Sequence, residues 1–407
     1  MQTVLITGAA SGIGLEAARL FAGAGWQCVL VDHNERALHQ LGQSLPSPAS
    51  AAHVLRTIDL TEPEQIASLG DGTPALDALI NNAGMSDASN LPLADQGPAQ
   101  MGRLLALNLA APAAVVDACA ALLKPGARIV NVSSGAGLHA IPWRGAYSPS
   151  KAGLIAQTRA LAQARPDWCV TVLAPGFVRT ELVDGLIQAG RLKPEGALGK
   201  IPLGRMAAPE EMAQALLFLA SPGAAPLSGQ ILALNGGSSV YGGSQPLPPA
   251  TLQPLPLDMP VQLEVCGGDG TPWEGALPSS AAQPRYAACL DLSPLQREAA
   301  GLLQAVHAAA ARFAARHAQQ ASLTLLLPPH APGRWQDAGD GAAARMLVST
   351  LACEWGSRAL RINAIEVPAA IDRSSLHPLL RYVCGSAAQY LTGQTLVCSA
   401  AAPGALR

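Results

Sequence analysis

Tyr147 and Lys151 are the residues whose types and spacing are best suited to chemistry. They stand four residues apart, so on a helix they share one face. An ammonium beside a phenol favours the phenolate, and we expect it to lower the pKa of Tyr147 from a reference value of about 10. Such a tyrosine can act as a general acid or base. The alternative is a surface pair, since this spacing arises by chance about once in 400 residues.

A glycine-rich turn, TGAASGIG over residues 7–14, follows the first apolar run and opens a helix. This context turns backbone amides and the positive end of the helix toward a pyrophosphate, which a Cβ would obstruct. Asp32 ends the second strand, where a carboxylate accepts hydrogen bonds from ribose hydroxyls and repels a 2′-phosphate. The sequence therefore predicts NAD(H) over NADP(H), unless Asp32 merely caps a helix. The predicted cradle is Gly8, Ser11, Gly12, Ile13 and Gly14.

Short apolar runs alternate with helical patterns over the first 242 residues. This alternation predicts an α/β fold with a doubly wound parallel sheet. The predicted strands are 4–7, 27–31, 54–59, 78–81, 128–133, 169–174 and 230–234. The predicted helices, from three- and four-residue apolar spacing, are 11–24, 98–123, 148–164 and 209–219.

Further motifs stand in order around the tyrosine and the glycine turn. They are Asp59-Leu60, Asn81-Asn82-Ala83-Gly84, Asn108, Asn131-Val132-Ser133-Ser134, and Pro175-Gly176 followed by Thr180. With these motifs, residues 1–240 resemble a complete short-chain dehydrogenase/reductase, a family with a single-domain Rossmann fold. Their joint presence makes the resemblance far more specific than any one motif.

The resemblance implies roles for individual residues. Ser134, 13 residues before Tyr147, should hydrogen-bond the substrate oxygen, and Asn108 should distort its helix and hold a water in a relay from Lys151. Ser133 is then structural. The implied NAD contacts, besides the turn, Asp32, Tyr147 and Lys151, are Asp59 and Leu60 at the adenine, Asn82, Ala83 and Gly84 along the cofactor, and Pro175, Gly176, Val178 and Thr180 at the nicotinamide.

Two mostly apolar loops should form the substrate cleft in this family. The candidate substrate residues are Ser134, His139 and Trp143 in one loop, and Phe177 and Leu182 in the other. The apolar character of these two loops favours a lipophilic secondary alcohol or ketone as the substrate. The alternatives are that the apolar residues are ordinary core and that the histidine is a satisfied polar group.

A proline-rich segment, 243–260, divides the chain into a catalytic domain (1–242) and a second domain (261–407). Residues 336–352 match 146–162 at an offset of 190, which predicts an incomplete, degenerate Rossmann-like α/β copy. At that offset Tyr147 falls on Asp337 and Lys151 on Gly341. The copy is also 58 residues shorter between its first strand and its long helix. We therefore expect it neither to catalyse nor to bind a nucleotide.

The copy keeps two long alanine- and leucine-rich helical patterns, 295–319 and 342–355. Their equivalents usually join subunits in the family. We therefore expect them to pack on 98–123 and 148–164 of the same chain as an internal pseudo-dimer. Pairing of two such chains into a homo-oligomer, a dimer of pseudo-dimers, would complete the assembly.

Composition excludes several function classes. Twenty-six Lys and Arg against 28 Asp and Glu leave no basic field for nucleic acid or an anionic membrane. No uninterrupted apolar run reaches the roughly 18 residues of a membrane span, and the first residues lack a signal-peptide pattern, so a cytoplasmic protein is expected. Eight scattered cysteines predict no metal site. The predicted function is NAD(H)-dependent interconversion of a secondary alcohol and a ketone; the alternative is an NAD-sensing interaction protein that docks through its second half.

Overall fold

A computed structural model describes residues 1–48, 51–87, 89, 93–188, 190, 193–273, 285–297, 301–329 and 337–399. Within these ranges, the side chains of Leu93, Leu182, Leu186, Asp337 and Ala338 are outside the description. Two parallel sheets, one in each half of the chain, organise the molecule.

The first sheet has seven strands in the order β3-β2-β1-β4-β5-β6-β7. They are β1 (Thr3–Thr7), β2 (Gln27–Asp32), β3 (Val54–Thr57), β4 (Leu76–Asn81), β5 (Leu123–Val132), β6 (Cys169–Leu173) and β7 (Ile231–Leu232). The pairings are parallel, which confirms the predicted doubly wound sheet. The strand order reverses between β1 and β4, and ligands of open α/β sheets bind at the carboxyl ends of strands beside such a point.

Nine helices accompany this sheet in the described ranges. They are α1 (Gly12–Gly23), α2 (Glu35–Ser44), α3 (Pro63–Ala67), α4 (Pro98–Leu105), α5 (Ala111–Cys119), α6 (Tyr147–Ala164), α7 (Glu181–Gln188), α8 (Pro194–Leu198) and α9 (Pro209–Leu219). Neighbouring strand residues face opposite layers: Val4 and Ile6 join one core, while Leu5 joins the other. The sheet is therefore buried on both faces.

The predicted helix 98–123 is interrupted. A π-helical turn, Ala106–Ala110, separates α4 from α5. The run Pro98–Cys119 has the length and apolar composition to cross a membrane, and 39% of its most apolar window is buried. Its parts pack on α3 and α6.

The second sheet has five parallel strands in the order β12-β11-β10-β9-β8. They are β8 (Val261–Cys266), β9 (Tyr286–Asp291), β10 (Ala321–Leu327), β11 (Leu360–Glu366) and β12 (Thr395–Val397). The helices of this half are α10 (Leu302–Arg316), α11 (Asp337–Trp355) and α12 (His377–Cys384). The second half is therefore an α/β unit with a smaller sheet.

The two halves meet through α9 and α12, and this corrects the predicted packing. The Phe218 ring of α9 stacks on the Tyr382 ring of α12 with centroids 4.3 Å apart. One apolar core continues from the first sheet through both helices to the second sheet. In contrast, α10 and α11 pack on each other and on their own sheet. The prediction that they pack on 98–123 and 148–164 of the same chain is wrong, because α12 supplies the matching apolar face.

The proline-rich segment 243–260 forms no helix or strand, as its prolines predict. It nevertheless bonds to both halves. The amides of Leu247 and Ala250 donate to the carbonyls of Gly199 and Gly204 in the first half. The Leu255 amide and carbonyl pair with the side-chain amide of Gln389 in the second half. This segment is thus a fitted strap across the molecule.

Candidate active site

Tyr147 begins α6 and Lys151 lies one turn later. Lys151 is buried, and its Nζ donates to the carbonyl of Val132 at the end of β5, at 3.0 Å. The same Nζ is 6.0 Å from the centroid of the Tyr147 ring. The first turn of α6 therefore brings phenol and amine together at the carboxyl edge of the sheet.

The expected effect of Lys151 on the pKa of Tyr147 is wrong for this site. Burial raises the pKa of Tyr147, and the hydrogen bond with Ser134 and the charge of Arg144 only partly oppose it. Burial also lowers the pKa of Lys151 to about 8. Desolvation therefore dominates both groups, and the phenol holds its proton at neutral pH.

Ser133 and Ser134 follow β5 but have different environments. The Ser134 hydroxyl accepts from the Ala136 amide at 3.1 Å, and it lies close enough to Tyr147 to oppose the rise in the pKa of the phenol. Ser133 Oγ is buried and donates to the carbonyl of Lys151 at 2.9 Å. Ser134 can thus share an oxygen ligand with Tyr147, while Ser133 ties the strand to α6.

Asn108 lies at the centre of the π-helical turn and is fully buried. Its Oδ1 accepts from the Met85 amide at 2.9 Å, and its Nδ2 donates to the Met85 carbonyl at 2.8 Å. A Cβ at Gly84 would lie 3.1 Å from Asn108 Oδ1 and 3.2 Å from Lys151 Nζ. The loop after β4 therefore holds the asparagine close to the lysine amine.

The glycine turn has the predicted shape. Gly8 and Gly12 have φ of +64° and +53°, a region that favours glycine. A Cβ at Gly14 would lie 2.0 Å from the Gly8 carbonyl oxygen, so only glycine lets α1 begin against the turn. Ser11 precedes α1 with an exposed side chain that does not cap it, and Ile13 packs toward the core. Such a turn leaves its backbone open to a phosphate.

Asp32 lies beside this turn. Its buried carboxylate accepts from the Ala10 amide at 3.0 Å and from the Asn34 amide at 2.9 Å. Asn34, rather than Asp32, caps α2 with its side chain. The interpretation of Asp32 as a helix cap is therefore wrong, and its carboxylate stands where the turn meets β2. The open turn and this acceptor together fit a dinucleotide.

The loop after β4 is fastened to β1. Thr7 Oγ1 accepts from the amides of Asn82 and Ala83, each at 3.0 Å. Asn82 Nδ2 donates to the carbonyls of Thr7 and Gly8. Asn81 and Asn131 bond side chain to side chain at 2.9 Å and so lock β4 to β5. The predicted cofactor residues of this loop lie against the glycine turn.

The remaining predicted cofactor residues have different surroundings: one is exposed, one lies near the glycine turn, and others are buried. Asp59 is exposed, and hydrogen bonds from Thr61 hold its carboxyl pKa below the ordinary value, while Leu60 is buried. Thr180 is near Gly12, since a Cβ built there would lie 3.4 Å from its methyl group. After β6, the Pro175 carbonyl accepts from the Gly135 amide, Gly176 abuts Asn235, and Val178 is buried.

The predicted substrate residues have mixed surroundings. His139 is exposed, with Nε2 3.0 Å from the Ser239 carbonyl. Trp143 is 60% exposed and has a φ of +57°, unusual for a large residue. Phe177 packs against the core, in keeping with the core alternative. The side chain of Leu182 lies outside the described residues.

Asp87 is a site residue that the motifs did not indicate. Its buried carboxylate accepts from the side chains of Gln96 and Gln100. A Cβ at Gly145 would lie 2.5 Å from its Oδ2, and Gly145 has a φ of +55°. Asp87 thus connects the loop after β4, the start of α4 and the loop before α6.

The second half has no counterpart to the Tyr147 and Lys151 pair. Gly341, which the 190-residue offset pairs with Lys151, accepts through its carbonyl from Arg345. Asp337, at the position of Tyr147, has a side chain outside the described residues. Over the described ranges, no cluster of three or more His, Cys, Asp or Glu could hold a metal ion.

Known proteins resemble the half that carries these residues. A family model described as enoyl-(acyl carrier protein) reductase matches residues 8–239. An uncharacterized short-chain type dehydrogenase/reductase, y4vI of Sinorhizobium fredii (strain NBRC 101917 / NGR234), is 39% identical over 242 residues, 58% of this chain and 43% of that protein. This match therefore spans less than half of the relative.

Two further comparisons cover nearly whole proteins. The 3-oxoacyl-(acyl-carrier-protein) reductase FabG of Rickettsia prowazekii (strain Madrid E) is 35% identical over 241 residues, 58% of this chain and 96% of the relative. A solved structure described as a short chain dehydrogenase/reductase family protein is 32% identical, with a TM-score of 0.51 over 59% of this chain and 98% of that one. Nearly the whole length of each of these two proteins therefore aligns with the first half of this chain.

Proposed function

Since this chain belongs to the short-chain dehydrogenase/reductase family, we propose that it interconverts a secondary alcohol and a ketone with NAD(H), using Ser134, Tyr147, Lys151 and Asn108. The observation that carries the proposal is the cluster at the carboxyl edge of the first sheet. There the Lys151 amine lies 6.0 Å from the centroid of the Tyr147 ring, and the nearby Ser134 hydroxyl partly offsets the effect of burial on the pKa of the phenol.

Tyr147 is the proton donor to a ketone oxygen in reduction. Its raised pKa keeps the phenol protonated at neutral pH, which is the form that donates. Ser134 donates a second hydrogen bond to the same oxygen and stabilises the charge that develops there. In oxidation the phenol must first lose its own proton, and the resulting phenolate then receives the alcohol proton.

Lys151 and Asn108 are proposed to return a proton to Tyr147 after it has donated one. With a pKa of about 8, Lys151 exchanges a proton near neutral pH more readily than an ordinary lysine. Asn108 lies beside its amine across Gly84 and can hold a water for relay. We expect Lys151→Ala to weaken both turnover and NADH binding, because the same amine would hold the nicotinamide ribose.

The glycine turn, Asp32 and the loop after β4 would hold the dinucleotide. Bound there, the nicotinamide supplies or accepts the hydride. The buried Asp32 carboxylate favours a ribose diol and repels a 2′-phosphate, which supports NAD(H).

The substrate is proposed to be lipophilic. Ile141 and Trp143 expose 41% and 60% of their surface beside the site, and Met101 exposes 43% on α4. Exposed apolar side chains around a catalytic cluster fit an apolar chain. Because FabG is named for 3-oxoacyl reduction, 3-oxoacyl thioesters are the first class to test.

The second half is proposed to be a degenerate copy that serves as a built-in partner subunit. The five-stranded parallel sheet and the 190-residue offset support the duplication. The continuous core through α9 and α12 supports the intrachain pairing. Cytoplasmic location and association into a dimer of such chains belong to the same proposal.

The deciding experiment follows NADH absorbance with a panel of 3-oxoacyl thioesters, lipophilic ketones and secondary alcohols. We expect turnover that requires Tyr147. The competing proposal, an NAD-sensing interaction protein, is supported by a large second half that lacks the Tyr147 and Lys151 pair. NADH binding with no turnover across the panel would favour it.

A further inference from the structure

The substrate wall at His139 rests on the segment that follows β7. A carbonyl oxygen can only accept, so the contact between His139 Nε2 and the Ser239 carbonyl requires a hydrogen on Nε2. The neutral ring then keeps Nδ1 as an acceptor. Ser239 belongs to a tight turn, 236–240, which begins with Gly236 and Gly237 at φ of +66° and +86°. The position and tautomer of His139 therefore depend on where this turn lies.

The second half holds this turn from the other side. The Gly236 amide donates to the Tyr390 carbonyl at 3.1 Å, and Gln394 Nε2 donates to Ser239 Oγ at 3.4 Å. A Cβ at Gly393 would lie 2.8 Å from the Val240 side chain. Backbone, side-chain and van der Waals contacts thus reach the turn from residues 390–394.

The glycines make this contact close. A Cβ at Gly236 would lie 2.8 Å from the Tyr390 ring, and one at Gly237 would lie 3.2 Å from the Thr392 methyl group. Tyr390 is fully buried, and its hydroxyl donates to the Arg205 carbonyl at 3.0 Å. The turn therefore has little room to move while the second half is in place.

A neighbouring part of the first half is held in the same way. The strap bonds to Gly199 and Gly204, which follow α8. Gly356, just after α11, lies so close to the Pro202 carbonyl that its Cβ would be 2.0 Å away. The chain from α8 to α9 thus also rests on the strap and the second half.

We propose that residues 390–394 of the second half are positioning residues for the substrate cleft, acting through the turn 236–240 on His139. Gln394 and Tyr390 fix the turn, the turn fixes the histidine ring, and the ring presents a defined acceptor to a bound substrate. This deepens the proposed function and rests on it for the identity of the cleft. The second half, which lacks the Tyr147 and Lys151 pair, would thereby affect how tightly the first half binds its substrate.

The test uses Gln394→Ala in the full-length chain, with Gln262→Ala as the matched control on the exposed side of β8. Hydrogen–deuterium exchange of a peptide covering 135–146 should be about threefold faster in Gln394→Ala and unchanged in Gln262→Ala. Gly393→Ala, which pushes on Val240, is a second variant and should increase the exchange further.

The kinetic readout separates positioning from loss of the fold. For Gln394→Ala we expect KM to rise about threefold with kcat unchanged and NADH affinity unchanged. In a His139→Ala background the same substitution should have no further effect on KM, because the route through the ring is gone.

Unchanged exchange at 135–146 in both Gln394→Ala and Gly393→Ala would overturn the proposal. A KM effect that persists in the His139→Ala background would also overturn it. If the wild-type chain turns over no alcohol or ketone, the proposed function fails, and the exchange measurement still decides whether residues 390–394 hold the His139 loop.

Discussion

At the carboxyl ends of its strands the first sheet presents Asp32, Asn82 and Ser134, whereas the second sheet ends β9 and β11 in Asp291 and Glu366. The second pair is neutralised within its own half. Asp291 is 2.8 Å from Arg312, and Glu366 is 2.7 Å from Arg345. Asp32 bonds instead to the Ala10 and Asn34 amides, beside an open glycine turn. The two parallel sheets thus differ at their strand ends: carboxylates of the second sheet are paired with arginines, whereas the carboxylate of Asp32 in the first sheet lies beside an open glycine turn.

The largest expected difference concerns the proton donor. Tyr147→Phe should lower kcat by about a thousandfold or more, because the general acid is lost, while NADH affinity and thermal stability stay near wild type. The measurements are steady-state turnover, NADH titration and thermal unfolding.

Arg345→Met is the counterpart in the second half. It removes the guanidinium that neutralises the buried Glu366 and should cost about 3 kcal/mol of unfolding free energy, with kcat kept. Substantial activity in Tyr147→Phe would contradict the role of Tyr147 as the proton donor. Loss of kcat in a folded Arg345→Met variant would contradict a purely structural role for the strand ends of the second sheet.

A matched pair of glycines follows the first strand of each sheet. Gly8 has a φ of +64°, and its Cβ would lie 2.9 Å from Ala83 Cα; Gly267 has a φ of +77°, with a Cβ 2.6 Å from Asp291 Oδ1. Both alanine substitutions should destabilise their loops by about 1–3 kcal/mol. Only Gly8→Ala should weaken NADH binding, by about tenfold or more, as measured by calorimetric titration. Equal effects of both variants on NADH affinity would mean that the second half binds nucleotide too.

The carboxylate of Asp32 is expected to decide which cofactor the first half prefers. The wild-type chain should bind NADH at least about tenfold more tightly than NADPH, and Asp32→Ala should bring the two affinities close together by removing the repelled charge. The ratio of the two dissociation constants is the measurement. A wild-type ratio near one would remove Asp32 from this role.

The smallest expected effect is a pH dependence of stability caused by Lys151. Burial lowers the pKa of its amine to about 8, below the value of an unfolded lysine, so between these values the unfolded chain binds more protons. The contribution of Lys151 to stability therefore rises as pH increases from about 8 toward 10.5. The stability advantage of Lys151→Met over wild type, from chemical unfolding at several pH values, should shrink over that window. A constant difference would show that the amine is not desolvated.

The strands and the catalytic cluster could be predicted from sequence because their signals are local. The runs at β1 and β2 are buried on both faces and are therefore continuously apolar, and the spacing of Tyr147 and Lys151 is a property of one helix. The π-helical turn lies at Asn108, where the family resemblance implied a distorted helix, but its bonding partner has no local signal in the sequence. It depends on the bonds of Asn108 to Met85, which is 23 residues away in the chain.

Two expectations were wrong because they concern contacts between distant parts of the chain. The direction of the Tyr147 pKa shift depends on desolvation by the folded surroundings rather than on the nearness of a lysine in sequence. The packing of the halves depends on α12, whose Tyr382 meets Phe218 from a distant part of the chain. The contacts of Asp87 and of residues 390–394 likewise form only when distant loops are brought together.

The strap that bonds to both halves has a consequence for behaviour at low concentration. Two subunits held only by noncovalent contacts separate on dilution, whereas two units on one chain face each other at an effective concentration on the order of millimolar. The interface of α9 with α12 therefore stays formed at any protein concentration. Mutations that weaken this interface would be buffered by the covalent connection, so it could drift in sequence more freely than an interface between separate chains.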